Sequence, residues 1–368
     1  MKFTVLRNEL ASALSTVMGA TERTGTLQIL RHILIEAADG CLGIVGTNLE
    51  MELRTEAAAT VEMPGRATVP ARKLYDLVKG LPEGAELRIE FEPRKALVKC
   101  GRSRYTLPVL PADEMPMLDV TPLKSGTTFE IEERALKQMM QSVLFAVAEE
   151  DVRAYLTGML LHLADGEVRA VGGSNVSMAR AASALPVPAN GDIQTILINK
   201  SAREIVRLLS DTDHKAKVRV CTSMIHLELA SCSITTKAIE GRYPEYDRVI
   251  ALNVRSTMRI DREVLLRALA RTAIVTNVHK AVRLTPKADS LELTTAASDN
   301  EAGDECIDAK FDGPADFEIG FSISALSEVI SALPPGEVVF NFETPLRHAQ
   351  IQSAANDDRR YAVMPMRL

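Results

Sequence analysis

The segment Ala37-Ala38-Asp39-Gly40-Cys41-Leu42-Gly43-Ile44-Val45-Gly46-Thr47-Asn48 decides the architecture, because its pattern returns twice farther along the chain. Ala164-Asp165-Gly166 through Gly173-Ser174-Asn175 repeats it, and Ala288-Asp289-Ser290 through Ala297-Ser298-Asp299 repeats it more weakly. Asp-Gly between alternating apolar residues is a strong signal for a two-residue hairpin, and the hydroxyl and amide residues that follow end the second strand. A recurrence at about 125 residues means a duplicated structural unit.

Working outward, each copy is preceded by an amphipathic helix. Leu10, Ala13, Leu14 and Val17 share one face, as do Leu136, Met139, Met140, Val143 and Leu144, and then Val264, Leu265, Ala268, Leu269 and Thr272. A second helix follows each copy, carrying Leu74, Leu77 and Val78, then Ala202, Ile205, Val206 and Leu209, then Leu326, Val329, Ile330 and Leu333. A strand-turn-strand segment closes each unit, from Leu87 to Leu107 in the first and from Val338 to Val363 in the last. Two helices cannot cover both faces of so much sheet. The expected fold is therefore α+β, with both helices of each unit on one face of antiparallel sheet. The units span 1–121, 127–250 and 254–368, and Pro116, Pro122 and Gly126 mark the first junction.

The 368 residues are 46% hydrophobic but only 4% aromatic, with no Trp, so the cores must be aliphatic. The odd number of cysteines, five, and the absence of CxxC spacing argue against a zinc site or disulfide framework and for a reducing cytoplasm. The charged start, MKFTVLRNEL, does not read as a signal peptide, and no run reaches membrane-spanning length. A formal charge of -6 argues against coating DNA by bulk electrostatics. Yet the helices expected at 7–18, 72–80, 132–147, 200–211, 262–272 and 321–333 are together net positive, and the sheets and loops are more acidic than the whole. Helices gathered on one surface would suit a phosphate backbone without reading sequence.

These features are joined by a resemblance along the whole chain to the beta sliding clamp family of bacterial DNA polymerase III. It rests on the opening MKFTV, Thr26-Leu27-Gln28-Ile29-Leu30, Gly46-Thr47-Asn48-Leu49-Glu50, Val69-Pro70-Ala71-Arg72-Lys73 and Gly80-Leu81-Pro82-Glu83-Gly84. Asp151-Val152-Arg153, Gly158-Met159-Leu160, Glu240-Gly241-Arg242-Tyr243-Pro244-Glu245-Tyr246 and the ending Tyr361-Ala362-Val363-Met364-Pro365-Met366-Arg367-Leu368 continue it. The resemblance implies three clamp domains per chain and a head-to-tail homodimer forming a six-domain ring, with helices lining the hole. It implies a non-catalytic processivity factor without cofactor or metal that encircles duplex DNA irrespective of sequence. Its partners would be the polymerase III alpha subunit, the clamp loader, and other polymerases and repair proteins that dock through a short peptide motif.

By the same resemblance, Arg23, Arg72, Lys79, Arg153, Tyr155 and Lys200 face DNA, and Tyr105 and Leu107 meet Ile274 and Val275 of the second copy. The partner-peptide cleft would be walled by Leu156, Pro244, Val249, Leu346, Val363, Met364, Pro365 and Met366, and flanked by Arg248 and Arg367. Methionines make such a surface adaptable. Two places depart from the family pattern. Its Thr-Asp-Gly-His-Arg-Leu cleft segment is replaced by Gly172 or Gly173 through Ser174-Asn175-Val176-Ser177-Met178, without the His-Arg pair, and its aromatic gate falls on Ala325 after Ser322. Both point to altered client preference, as in a specialised paralogue.

Other function classes find less support. The chain has no phosphate-binding GxxxxGK, no GxSxG elbow and no metal-ligand spacing among its six histidines. Asp299, Glu301, Asp304 and Glu305 read as a solvated loop, or as a surface facing basic residues of a neighbour. A monomeric three-domain scaffold and a nucleic-acid hydrolase remain as alternatives, separable by solution mass and by turnover.

Overall fold

The computed structural model describes residues 1–185, 192–275, 281–298, 301–355 and 358–367. Asp299, named in the acidic segment, and His279, one of the six histidines, lie outside these residues. Two compact units emerge, one built from Met1–Arg134 with Arg207–Ala238, the other from Ala135–Val206 with Ile239–Leu368. All the sheet pairings are antiparallel among the described residues.

In the first unit an open sheet runs in the order Thr60–Met63, Lys2–Leu6, Glu86–Glu92, Lys95–Cys100, Ser103–Pro108. A second sheet passes from Gly65–Pro70 through His32–Ala38, Cys41–Thr47 and Met51–Ala58 into Cys232–Ile239, Met224–Glu228, Lys215–Cys221 and Thr127–Glu132. One continuous ladder thus joins strands of the first repeat to strands of the second. The other unit does the same. Ile193–Ile198, Gly158–Ala164, Glu167–Gly173 and Ser177–Ala184 continue into Arg360–Val363, Ala349–Ser353, Glu337–Phe342 and Ser256–Asp261. Its remaining sheet is Ile319–Ser322, Ala281–Lys287, Ser290–Ser298, Glu301–Asp308.

The hairpin reading holds at its two strong sites. Asp39 and Gly40 have φ of 49° and 77°, and Asp165 and Gly166 have 55° and 77°, the left-handed pair that a tight hairpin needs. In the third copy the two-residue turn is Ala288-Asp289, between paired Lys287 and Ser290. The equivalence of Gly46 with Gly173 is one residue out. Gly46 and Gly172 are the true counterparts: a Cβ on either would run into the carbonyl of Val17 or of Val143, at the end of the preceding helix.

Helices form at Arg7–Val17, Ala71–Lys79, Glu133–Gln141, Asn199–Leu208, Arg262–Thr272 and Ile323–Ser331. Arg7–Val17 packs on Cys41–Thr47 and Met51–Ala58, while Ala71–Lys79 packs beside it on His32–Ala38 and Gly65–Pro70. The third helix stops earlier than expected. The Ser142 hydroxyl bonds back to the Met139 carbonyl at 2.8 Å, and a 3-10 turn at Leu144–Ala146 replaces further α-helix. A short helix at Tyr246–Ile250 was not foreseen.

One arginine per repeat ties the two helices together. Arg7 donates to the carbonyls of Val78 at 3.2 Å and Lys79 at 2.8 Å, at the C-terminus of the second helix. Arg134 reaches the Asp211 carbonyl at 3.1 and 2.9 Å, and Arg262 the carbonyls of Ile330 at 3.0 Å and Ser331 at 2.8 Å. A cation here satisfies carbonyls that lack intrahelical partners and meets the negative end of the helix dipole.

Glu133 opens its helix while only 1% exposed. Burial opposes its charge, but the N–H groups of Ala230 and Ser210, at 2.9 and 2.8 Å, outweigh that and hold its carboxyl below the ordinary glutamate value.

Two outcomes follow. Arg7→Met, which keeps the apolar stem, should cost about 1–2 kcal/mol in denaturant unfolding. Glu133→Gln should cost about 1–3 kcal/mol at neutral pH. Because the folded carboxyl titrates below the unfolded one, that cost is full above the unfolded value and shrinks as pH falls through the folded one. A cost independent of pH would show that the charge is not what stabilises.

Candidate DNA-facing and partner-binding surfaces

The residues assigned to DNA are exposed but differ in how freely they can respond. Arg23, Arg72, Lys79, Arg153 and Lys200 all reach solvent. Arg72 pairs with Asp76 at 3.0 Å, one helical turn on, and Lys79 stands 5.9 Å from the Tyr75 ring centre. Arg153 is the most restrained. It binds both oxygens of Asp151, at 2.8 and 2.9 Å, and also contacts the Asn175 side-chain oxygen at 2.5 Å. Arg153 thereby holds the Asp151 carboxyl down to about 2. Tyr155 is half-buried, its ring edge-on to Tyr243 at 6.2 Å, and packs against an apolar cluster. Arg7, Arg134 and Arg262, counted among the helix charges, are spent on carbonyls at or just past the end of a helix.

The residues assigned to the partner cleft separate into three groups. Leu346, Pro365, Met366 and Arg367 line one pocket of about 340 Å³, together with Arg283, Glu318, Ile319, Gly320 and Pro345. The chain end is pinned there by main-chain bonds, Met366 N–H to the Gly320 carbonyl at 2.8 Å and Met364 N–H to the Val176 carbonyl at 2.9 Å. Leu346 is 82% exposed, Val176 47% and Met364 42%, large apolar groups left in water.

The second group is closed. Leu156 and Met178 lie in a buried cluster with Leu160, Val171, Tyr243 and Tyr246, and Val249 packs against it. Gly173 is essential to that packing, since a Cβ there would come within 3.0 Å of the Tyr243 hydroxyl and 3.1 Å of the Met178 methyl. The Tyr243 hydroxyl is buried without a hydrogen-bond partner among the described residues, and burial pushes its pKa up. Val363 departs from its assignment: it is fully buried, because its strand lies inside the sheet beside Ser177, so it offers no surface to a peptide.

Pro244 and Arg248 form the third group. They line a separate pocket of about 270 Å³ with His162, Gln194 and Tyr246. His162 bridges the Tyr246 hydroxyl at 2.6 Å and Asp192 at 2.7 Å. Sequence reasoning passed over this histidine because its neighbours come from distant segments. Ser322 and Ala325 are a helix cap: the Ser322 hydroxyl accepts the Ala325 N–H at 3.4 Å. Ala325 is buried.

Of the residues assigned to self-association, Tyr105 is 37% and Ile274 81% exposed, Val275 is half-buried, and Leu107 is nearly buried under its own sheet. Among the described residues no cluster of His, Cys, Asp and Glu has the makings of a metal site, and no helix is long and apolar enough to cross a membrane.

Three family models match in succession: the N-terminal domain of the DNA polymerase III beta subunit over residues 1–119, its central domain over 130–245 and its C-terminal domain over 247–367. The beta sliding clamps of Escherichia coli (strain K12) and Pseudomonas aeruginosa are each 34% identical over 371 residues, covering all of both chains. The crystal structure of the Pseudomonas aeruginosa DnaN sliding clamp bound to griselimycin aligns with a TM-score of 0.95 at 33% identity. The Caulobacter crescentus DNA polymerase sliding clamp does so with 0.92 at 29%, each alignment covering the whole of both chains. The chain belongs to the DNA polymerase III beta subunit family, and it serves replication as a DNA sliding clamp, a processivity factor that catalyses no reaction.

Proposed function

We propose that two copies of this chain close head to tail around duplex DNA, as a ring of six domains with boundaries at 1–121, 127–250 and 254–368. One observation carries the closure. Ladders already join repeat one to two and two to three, and the two remaining sheets end in Ser103–Pro108 and Glu301–Asp308, with Thr60–Met63 and Ile319–Ser322 at their other ends. Arg102 and Arg104 make the first edge basic, and Asp304, Glu305 and Asp308 make the second acidic. Unpaired edges of opposite charge are complementary, and a second copy satisfies both. Exposed Lys73, Lys79, Lys200 and Arg203 then meet phosphates without fixing register, which permits sliding.

The polymerase III alpha subunit, the clamp loader, and other polymerases and repair proteins dock through a short peptide. Its site is the pocket beside Leu346 and Met366, extended by Val176 and Met364. Apolar groups this exposed, next to a pocket flanked by Arg283 and Arg367, support a peptide with apolar anchors. The second reading, a clamp with altered clientele, draws on Asn175. The segment that departs from the family pattern is tied through it to Arg153 and Asp151. The odd cysteine count suits action in the cytoplasm.

Light scattering should give twice the 40.1 kDa chain mass; a monomer at micromolar concentration would refute the ring. Titration with a fluorescent clamp-binding peptide should show micromolar affinity, lost by about 10–100-fold in the Leu346→Ala, Met364→Ala double variant. Unchanged affinity in that variant would move the docking site elsewhere. Lys79→Ala with Lys200→Ala should weaken contact with DNA and flatten its salt dependence, yet leave loaded protein retained on closed circular DNA.

A further inference from the structure

Building on the ring reading, we propose that the Tyr105 hydroxyl caps helix Arg262–Thr272 of the second copy by donating to the Arg271 carbonyl. Ser103–Pro108 would lie antiparallel on Glu301–Asp308, with Tyr105 opposite Gly303 and Arg104 opposite Asp304.

The assignment comes from the internal repeat, read through its ladders. Phe3, Phe129 and Met258 precede the first helix of each repeat by four residues. They face Ile89, Val218 and Phe340. These in turn face Val98, Leu227 and Ile351, which face Tyr105, Ile234 and Tyr361. The three last-named residues therefore occupy one structural position. On the opposing side, Gly46, Gly172 and Thr295 follow the hairpins at one spacing, and face Leu53, Ala179 and Gly303. Inside the chain this register is already used twice, with Ile234 opposite Leu53 and Tyr361 opposite Ala179. The third pairing is Tyr105 with Gly303.

The same correspondence locates an acceptor. Thr16, Ser142 and Arg271 each lie nine residues beyond the helix starts Arg7, Glu133 and Arg262. The Thr16 carbonyl accepts from Arg207 at 2.9 Å, and the Ser142 carbonyl from the Tyr361 hydroxyl at 2.9 Å. Each internal seam thus sends one donor from the following repeat onto this carbonyl. Only the Arg271 carbonyl has its following repeat in another copy. Tyr361 is fully buried where it performs this task, while Tyr105 stands 37% exposed on an open edge. Gly303 presents no side chain to obstruct the ring, and Val275 and the exposed Ile274 form its apolar bed. Arg104 meeting Asp304 adds opposite charges across the strands.

Tyr105→Phe keeps the ring and removes only the donor. Loss of one hydrogen bond weakens a contact about 5-fold, and a two-copy ring makes the contact twice, so the dimer dissociation constant should rise about 25-fold by sedimentation. An unchanged constant overturns the cap. The register is read separately, with Cys100 and Cys306 replaced by Ser. Arg104→Cys with Asp304→Cys should cross-link two chains under oxidation, and Arg104→Cys with Glu305→Cys should not. The reverse pattern overturns the register. A parent protein that is monomeric throughout would instead refute the ring itself.

Discussion

Main-chain hydrogen bonding between strands of successive repeats is the constraint on which this structure depends. A repeat left alone would expose a strand edge at each of its junctions, a row of unsatisfied donors and acceptors. Pairing Met51–Ala58 with Cys232–Ile239, and Ser177–Ala184 with Arg360–Val363, removes four of those edges inside one chain. This is also why the chain divides into two compact units that cut through the second repeat. The ladders carry main-chain pairing across the repeat junctions without a break. Register here is set by more than backbone. A slip by one residue would turn the buried Ile234 and Tyr361 outward.

The helices obey a second economy. In the proposed ring they would supply cations to DNA, yet each repeat diverts an arginine to carbonyls at or just past the end of its neighbouring helix. Net helix charge therefore overstates what a phosphate encounters. The cations that remain are exposed lysines and arginines on flexible stems, and Arg72 and Arg153 already have carboxylate partners. Contacts of this kind are screened and readily exchanged, which fits binding without a fixed register.

Much of the scaffold was legible because it repeats. Asp39-Gly40 and Asp165-Gly166 named their turns, and the apolar faces of the helices largely matched the residues now buried, from Leu10 and Leu14 to Val329 and Ile330, except that Val264 is 41% exposed. The junctions were not legible. Nothing in the spacing of Ser177–Ala184 says that it will pair with residues near 361, because strand partners so far apart leave no local signal. For the same reason the cleft residues, chosen by resemblance, separated into an exposed group around Leu346, a closed cluster around Tyr243 and a pocket around His162. Val363 looked like a wall and proved to be interior. The end of the third helix was misjudged because one serine hydroxyl competed with the backbone.

The complementary edges carry a kinetic consequence as well as a structural one. In the proposed ring, the first contact between two chains is an ordinary bimolecular encounter. The second forms within the complex already made, at an effective concentration far above that of free protein. Breaking one contact leaves the partners tethered by the other, so a gap reseals faster than the halves part. The ring would then open frequently without falling apart, and its lifetime on DNA would be governed by how long a single gap stays wide enough for the duplex to escape.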